Sequence, residues 1–421
     1  MMIRVLVAVV VLALAAVTWR AAAHARGSTS GHMDLTARVA ATVPKVEHAV
    51  GLPFKSPPKV EVRSKDQVRA FLERQYDDPR QARELAGTAA AFKLLGLIPD
   101  SMDLRKESEN LLTEQIAGFY DPKTKVLYVI QGENDEMLDQ VVPHELVHAL
   151  QDQYVNLDSI ENAEGDDDRL LAAQAVFEGQ AVYEQLVIMS GGTAFTARLP
   201  EMWDRLRETI RDSRSSMPEF AKAPPIIQEV TIFPYINGLE FIKQYYDHFP
   251  TQQPYTNLPT STQQVLSEAA YFSTPKMAPL RVTLPKPATG TVRYENTLGE
   301  FQTRVYLNEQ LNDQNAAIRG AAGWAGDRYQ VIDMPGGPAM VWISVWDNSV
   351  DAAQFVDLLS QTADHRFGKS AAHRTWTRGT RTVTVTPVQV QGRPAVLYVD
   401  TPRPTTRALL DTAALAAAPE K

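Results

Sequence analysis

The chain has 421 residues, 44% apolar and 22% charged, a composition that excludes a disordered chain or a membrane protein of many spans. A formal charge of −8 and a pI near 5.6 exclude the basic surface that nucleic acid requires, so no nucleic-acid partner is expected. With no cysteine there can be no disulfide and no lipid-bearing N-terminal Cys, and stability has to come from the core or from bound metal.

Arg4 precedes an unbroken apolar run, Val5 to Val17, and small residues follow through Ala25. That is the layout of a secretory signal cleaved after Ala25. The run is shorter than the ~20 apolar residues that cross a bilayer; if retained, it would attach the protein to a membrane. An exported protein is expected, whether secreted, periplasmic or at the cell surface.

A Gly/Ser-rich spacer and an N-terminal helix from near Leu35 fill residues 26–56. Residues 57–63 read as a strand, and helical spacing of apolar residues follows over Lys65–Tyr76, Pro79–Leu95 and Leu104–Ile116. The period then changes. Gly118–Tyr120, a turn at Asp121–Thr124 and Val126–Ile130 predict a β-hairpin. Two further helices, Glu136–Tyr154 and Asp168–Met189, flank an acidic loop from Glu161 whose spacing does not match a calcium-binding hand. Helices are also expected at Pro200–Ser213, Tyr235–His248 and Ser261–Tyr271.

The Pro-rich segment 275–287 reads as a linker to a separate α+β domain at 288–404. That domain has helices at Leu298–Leu311 and Ser349–Thr362, and strands at Tyr329–Ile332, Ala339–Trp346, Arg381–Val390 and Ala395–Val399. Residues 323–328 read as a turn with a packed Trp. Residues 405–421 read as a frayed tail. The expected class is α+β: a mainly helical domain over 57–274 with a small sheet, then the smaller α+β domain.

His144-Glu145-Leu146-Val147-His148 carries the chemistry. Residues four apart share one helical face, so both imidazoles can reach one cation, with the Glu145 carboxylate set toward a water on that ion. A catalytic zinc takes three protein ligands and leaves the fourth position to water. The metzincin solution, a His six residues past His148 with Gly three past, is excluded by Tyr154 and Gln151. The gluzincin solution is a Glu on a following helix. Glu178 lies among Leu170, Leu171, Ala175, Val176 and Phe177, where an unpaired carboxylate is costly to bury. Glu184 is the reserve. The small Gly179 and Ala181 are expected to let the two helices approach closely enough to share the ion. Pro143 predicts a kink or a late helix start. The other histidines, His24, His32, His48, His365 and His373, have no ligand spacing.

HELVHALQD at 144–152 resembles the zinc helix of gluzincin metallopeptidases, and Glu178-Gly179-Gln180-Ala181 resembles their third-ligand helix. LLTEQIAGFYDPKTKVLYV, HELVHALQDQ, FEGQA, FPYINGLEFI and PTSTQQVL together resemble a group of exported bacterial zincin-like proteins, over roughly residues 95–271. The resemblance implies a thermolysin-like core with Zn2+ on His144, His148 and Glu178. A zinc-polarised water would give its proton to Glu145 and attack a peptide carbonyl. It also implies an edge strand that pairs with extended substrate, here Val126–Ile130. Tyr235, expected at the start of a helix, resembles the oxyanion donor of that family; Tyr154 and His248 are alternatives. Val182 stands where thermolysin-like enzymes have an Asp that orients a zinc histidine, so Asp152 or a backbone carbonyl is expected to do so.

The implied function is zinc-dependent hydrolysis of extracytoplasmic proteins or peptides, as an endopeptidase. The other classes open to the sequence are a catalytically silent scaffold on the same fold and a zinc hydrolase of a non-peptide amide.

Overall fold

The computed structural model describes residues 34–161, 165–194, 196, 217–370, 373–403 and 408–419. The expected signal, most of the spacer and the helix expected at 200–213 lie outside them.

The order is α1 (Leu35–Val50), β1 (Lys59–Arg63), α2 (Lys65–Tyr76), α3 (Pro79–Leu95), α4 (Leu104–Gln115), β2 (Gly118–Asp121), β3 (Val126–Ile130), α5 (Asp135–Tyr154), α6 (Leu157–Glu161), α7 (Asp167–Ser190), α8 (Pro218–Lys222), α9 (Pro225–His248), α10 (Thr262–Leu266) and α11 (Glu268–Phe272). The C-terminal part adds β4 (Leu280–Thr283), β5 (Thr291–Asn296), α12 (Gly299–Leu311), α13 (Gln314–Ala321), β6 (Trp324–Met334), β7 (Gly337–Trp346), α14 (Ser349–Phe367), β8 (Thr375–Arg378), β9 (Arg381–Val390), β10 (Arg393–Pro402) and β11 (Ala416–Pro419). The class is α+β. Among the described residues no helix is long and apolar enough to cross a membrane.

Local chemistry explains most boundaries. Ser64 and Gln67 close a capping box on α2, Asp78 caps α3 ahead of Pro79, and Gly96 ends α3 in the left-handed conformation. Ser267 breaks the helix expected over 261–271, taking extended torsions and accepting the Ala270 N–H, so α10 and α11 are separate. α9 begins ten residues earlier than the pattern from Tyr235 predicts and runs through Pro234.

The small sheet has the order β1-β3-β2, so β3 is its central strand. β1 pairs with it in parallel and β2 antiparallel. This corrects the expectation that Val126–Ile130 is an edge strand: all five residues are buried, and the edge nearer α5 is β2. One face of this sheet packs through Leu127 and Val129 on α1 and α5, and the other through Tyr128 and Ile130 on α2 and α4.

The six-stranded sheet has the order β5-β6-β7-β10-β9-β8. Trp342 and Trp346 on one face meet Phe355 of α14, while Val341, Ile343 and Val345 on the other are covered by β4 and the chain end. β4 lies inside the segment expected to be a linker, and Leu280 and Val282 are buried. The expected fraying of the tail is likewise corrected. β11 pairs with β4 through Ala416–Pro419, and Leu409, Leu410 and Leu415 cover the sheet. The apolar residues at 280–284 and 409–417 make this arrangement pay, since unpaired they would leave one sheet face in water.

Nor is the C-terminal part separated by a flexible link. A single apolar cluster runs from α2 through α7 and α9 to Trp342. Phe233 and Phe301 have ring centroids 4.1 Å apart across the junction, and a Cβ on Gly87 would lie 2.1 Å from the Tyr294 ring.

Candidate metal centre

α5 is buried around nearly its whole circumference, between the small sheet with α1 on one side and α7 on the other. Asn134 caps it nine residues ahead of Pro143, so the late start expected from that proline does not occur. The first turn is anchored by Arg38 of α1, which pairs with Asp135 and Asp139.

α7 crosses α9 at backbone contact. A Cβ on Gly179 would come within 2.2 Å of the Gly238 carbonyl carbon, and one on Gly238 within 2.1 Å of the Ala175 oxygen. Gly179 therefore serves the contact with α9 and not the approach of α5 expected for it. Ala181 does face α5, sharing a cluster with Leu146 and Val147.

These helices bring His144, His148 and Glu178 together. His144 Nε2 lies 3.2 Å from Glu178 Oε2 and 3.2 Å from His148 Nε2, and His148 Nε2 lies 3.4 Å from Glu178 Oε2. Donors held about 2.05 Å from a tetrahedral ion are separated by about 3.3 Å. The three atoms are thus spaced as one triangular face of such a tetrahedron would be. Burial works against charge at both ends of this cluster, yet the Glu178 carboxylate holds His148 up at about 9, and the two imidazoles hold Glu178 down at about 2.

Glu145 is fully desolvated, which pushes its carboxyl above the usual range, the nearby imidazoles opposing. Its Oε2 accepts the Tyr120 backbone N–H at 2.8 Å. Alternation in the β2–β3 ladder turns that peptide group away from β3 and toward α5. The cluster opens on a cavity of about 150 Å³ lined by Glu145, the three candidate ligands and an apolar wall that includes Phe71, Leu112, Ile116, Phe119 and Phe177.

The remaining candidates fall into place differently. Glu184 is buried but apart from the cluster; its Oε1 accepts the Tyr246 hydroxyl at 2.9 Å. Tyr235 lies in the middle of α9, not at a helix start, and its ring stacks on the His144 imidazole with centroids 6.3 Å apart. Tyr154 donates to the Pro53 carbonyl, and His248 stacks on Phe272 at the exposed end of α9. Asp152 touches neither candidate histidine: it accepts from Tyr120 Oη, Lys125 Nζ and the Leu157 N–H. The neighbour of His148 is Gln151, its Oε1 lying 2.9 Å from His148 Nδ1. Sequence reasoning used Gln151 only to exclude a class, although its position three residues past His148 on one helical face was a readable signal.

Residues 288–411 match the family described as a domain of unknown function, DUF8575. All three candidate ligands lie outside the matched residues. No curated protein and no solved structure matches the chain.

Proposed function

We propose that this protein is a zinc-dependent metallopeptidase of the gluzincin kind, exported from the cell and acting on proteins or peptides. The observation that carries the reading is the spacing of the three donor atoms, 3.2, 3.2 and 3.4 Å, around a point where one ion would complete a tetrahedron with an open fourth position. The donor set, two imidazoles and a carboxylate, is one that zinc favours.

Bound there, zinc would supply Lewis acidity and lower the pKa of a coordinated water toward ~7. The chain's own part is proton handling and orientation. Glu145 has one oxygen held by the Tyr120 N–H, which leaves the other to take a proton and return it to a leaving amine. Its burial favours the protonated form after that transfer. Phe119–Asp121 of β2 border the cavity; with the Tyr120 N–H held by Glu145, the outward carbonyl of that residue is left to align a substrate backbone, and β2 replaces β3 in that role. The apolar side of the cavity favours an apolar side chain beside the reacting bond.

The test compares wild type with Glu145→Gln for zinc content and for cleavage of a denatured protein mixture. One zinc per chain in both, with cleavage in wild type alone, is expected. Zinc without cleavage in wild type would indicate a scaffold or a non-peptide amide hydrolase, and cleavage persisting in Glu145→Gln would defeat the assigned base.

A further inference from the structure

A largely buried row of side-chain amides runs from His148 to the C-terminal end of α1. His148 Nδ1 meets Gln151 Oε1 at 2.9 Å, and Gln151 Nε2 donates to Gln180 Oε1 at 3.0 Å and to the Phe177 carbonyl at 3.1 Å. Gln180 Nε2 donates to Gln253 Oε1 at 3.0 Å and to Tyr246 Oη at 2.9 Å. Gln253 Nε2 ends the row on the carbonyl of Val50, the last residue of α1, at 2.8 Å. Gln151 and Gln180 have no solvent exposure.

The direction of every bond in this row is dictated by two backbone carbonyls. A carbonyl oxygen only accepts, so the Phe177 oxygen requires the Gln151 NH2 group on its side. That leaves Gln151 Oε1 facing His148, where it can only accept, so Nδ1 must carry the proton. The Val50 oxygen orients Gln253 by the same rule, Gln253 orients Gln180, and Gln180 offers its oxygen to Gln151. The Tyr246 hydroxyl accepts from Gln180 and donates to Glu184 Oε1 at 2.9 Å, consistent with the same polarity. Bonds aligned donor to acceptor in a low-dielectric interior reinforce one another.

We infer that Gln151 is the positioning residue for His148, and that the row Gln180–Gln253–Val50 sets its amide so that His148 presents the Nε2 lone pair toward the cluster. The inference rests on the zinc reading above. A neutral amide does here what a carboxylate does beside many metal-bound histidines, fixing tautomer and ring angle without adding a charge. Among the described residues His144 has no such support, its Nδ1 being buried without a hydrogen-bond partner there.

Zinc is titrated against a competing chelator into the full chain, Gln151→Leu and Gln253→Leu, and the His148 Nδ1 proton is followed by NMR in the zinc-loaded proteins. Gln151→Leu is expected to bind zinc roughly 10–100-fold more weakly and to lose an exchange-protected Nδ1 proton signal. Gln253→Leu, whose side chain is only half-buried and touches no ligand, is expected to keep the fold and show both changes in smaller degree. Wild-type affinity with a wild-type Nδ1 signal in folded Gln151→Leu overturns the inference. Should that variant fail to fold, wild-type values in Gln253→Leu overturn it. Failure of the zinc reading looks different: the unmodified chain takes up no zinc, and His148→Ala changes nothing.

Discussion

The backbone N–H of Tyr120 and the carboxylate of Glu145 meet at 2.8 Å, joining the edge of the small sheet to the centre of α5. A Gln at position 145 keeps an oxygen for that N–H, so Glu145→Gln preserves the local structure while removing the base. Its zinc content and melting temperature should stay within error of wild type. Turnover of a peptide substrate should fall by about 10²–10⁴-fold, the usual contribution of a positioned general base. Steady-state kinetics at matched zinc occupancy measure this; a fall accompanied by lost zinc would point to a ligand role instead.

Metal removal should loosen the junction of α5 and α7. A ligand that binds only the folded state adds about 2.7 kcal/mol at a hundredfold excess over Kd. Zinc should therefore raise the melting temperature of wild type and a chelator reverse it, with neither effect in His148→Ala or Glu178→Ala. An equal zinc-induced shift in all three proteins would place the ion elsewhere.

Zinc uptake should also release a proton. In the metal-free protein His148 titrates at about 9, so at pH 7.5 the imidazole is charged, and it must be neutral to ligate. Calorimetric titrations in buffers of different ionisation heat should give more than one proton released per zinc at that pH, the His148 proton and part of the coordinated water's, falling toward one well above pH 9. Release that does not change with pH would contradict the assignment.

Glu184 supplies a pH dependence independent of the metal. Burial raises its carboxyl from 4.5 to about 8, the Tyr246 hydroxyl opposing. Because the folded value stands above the unfolded one, this group favours the fold fully below pH 4.5, and that contribution is lost as pH rises to 8. Gln at 184 still accepts from Tyr246 but never ionises. Urea midpoints of Glu184→Gln and wild type should lie close together at pH 4 and separate in the variant's favour up to about pH 8. Parallel curves across this range would show that Glu184 does not titrate as described.

Gly238→Ala tests the crossing of α7 and α9. The added methyl meets the Ala175 carbonyl oxygen at 2.1 Å, and neither backbone can yield without moving the other. A loss of about 1–3 kcal/mol is expected, the range for overpacked cores, together with weaker zinc binding because Glu178 rides on α7. Denaturation and zinc titration of the one variant check both; unchanged values would mean that the helices can part without cost.

The sequence by itself determined what is periodic or local. Histidines one helical turn apart must share a face, an acidic residue amid Leu170–Phe177 needs a partner, and Pro, Gly, Ser and Asp mark the ends of α2, α3 and the β2–β3 hairpin. Tertiary structure alone decided which distant groups meet. It set β3 in the centre of its sheet, turned Gly179 to α9, gave the His148 Nδ1 to Gln151 and not Asp152, and folded the expected linker and tail into β4 and β11. The reason is physical: torsional preference and apolar spacing act over a few residues, whereas the partner of a buried hydrogen-bonding group depends on how whole helices and sheets are packed.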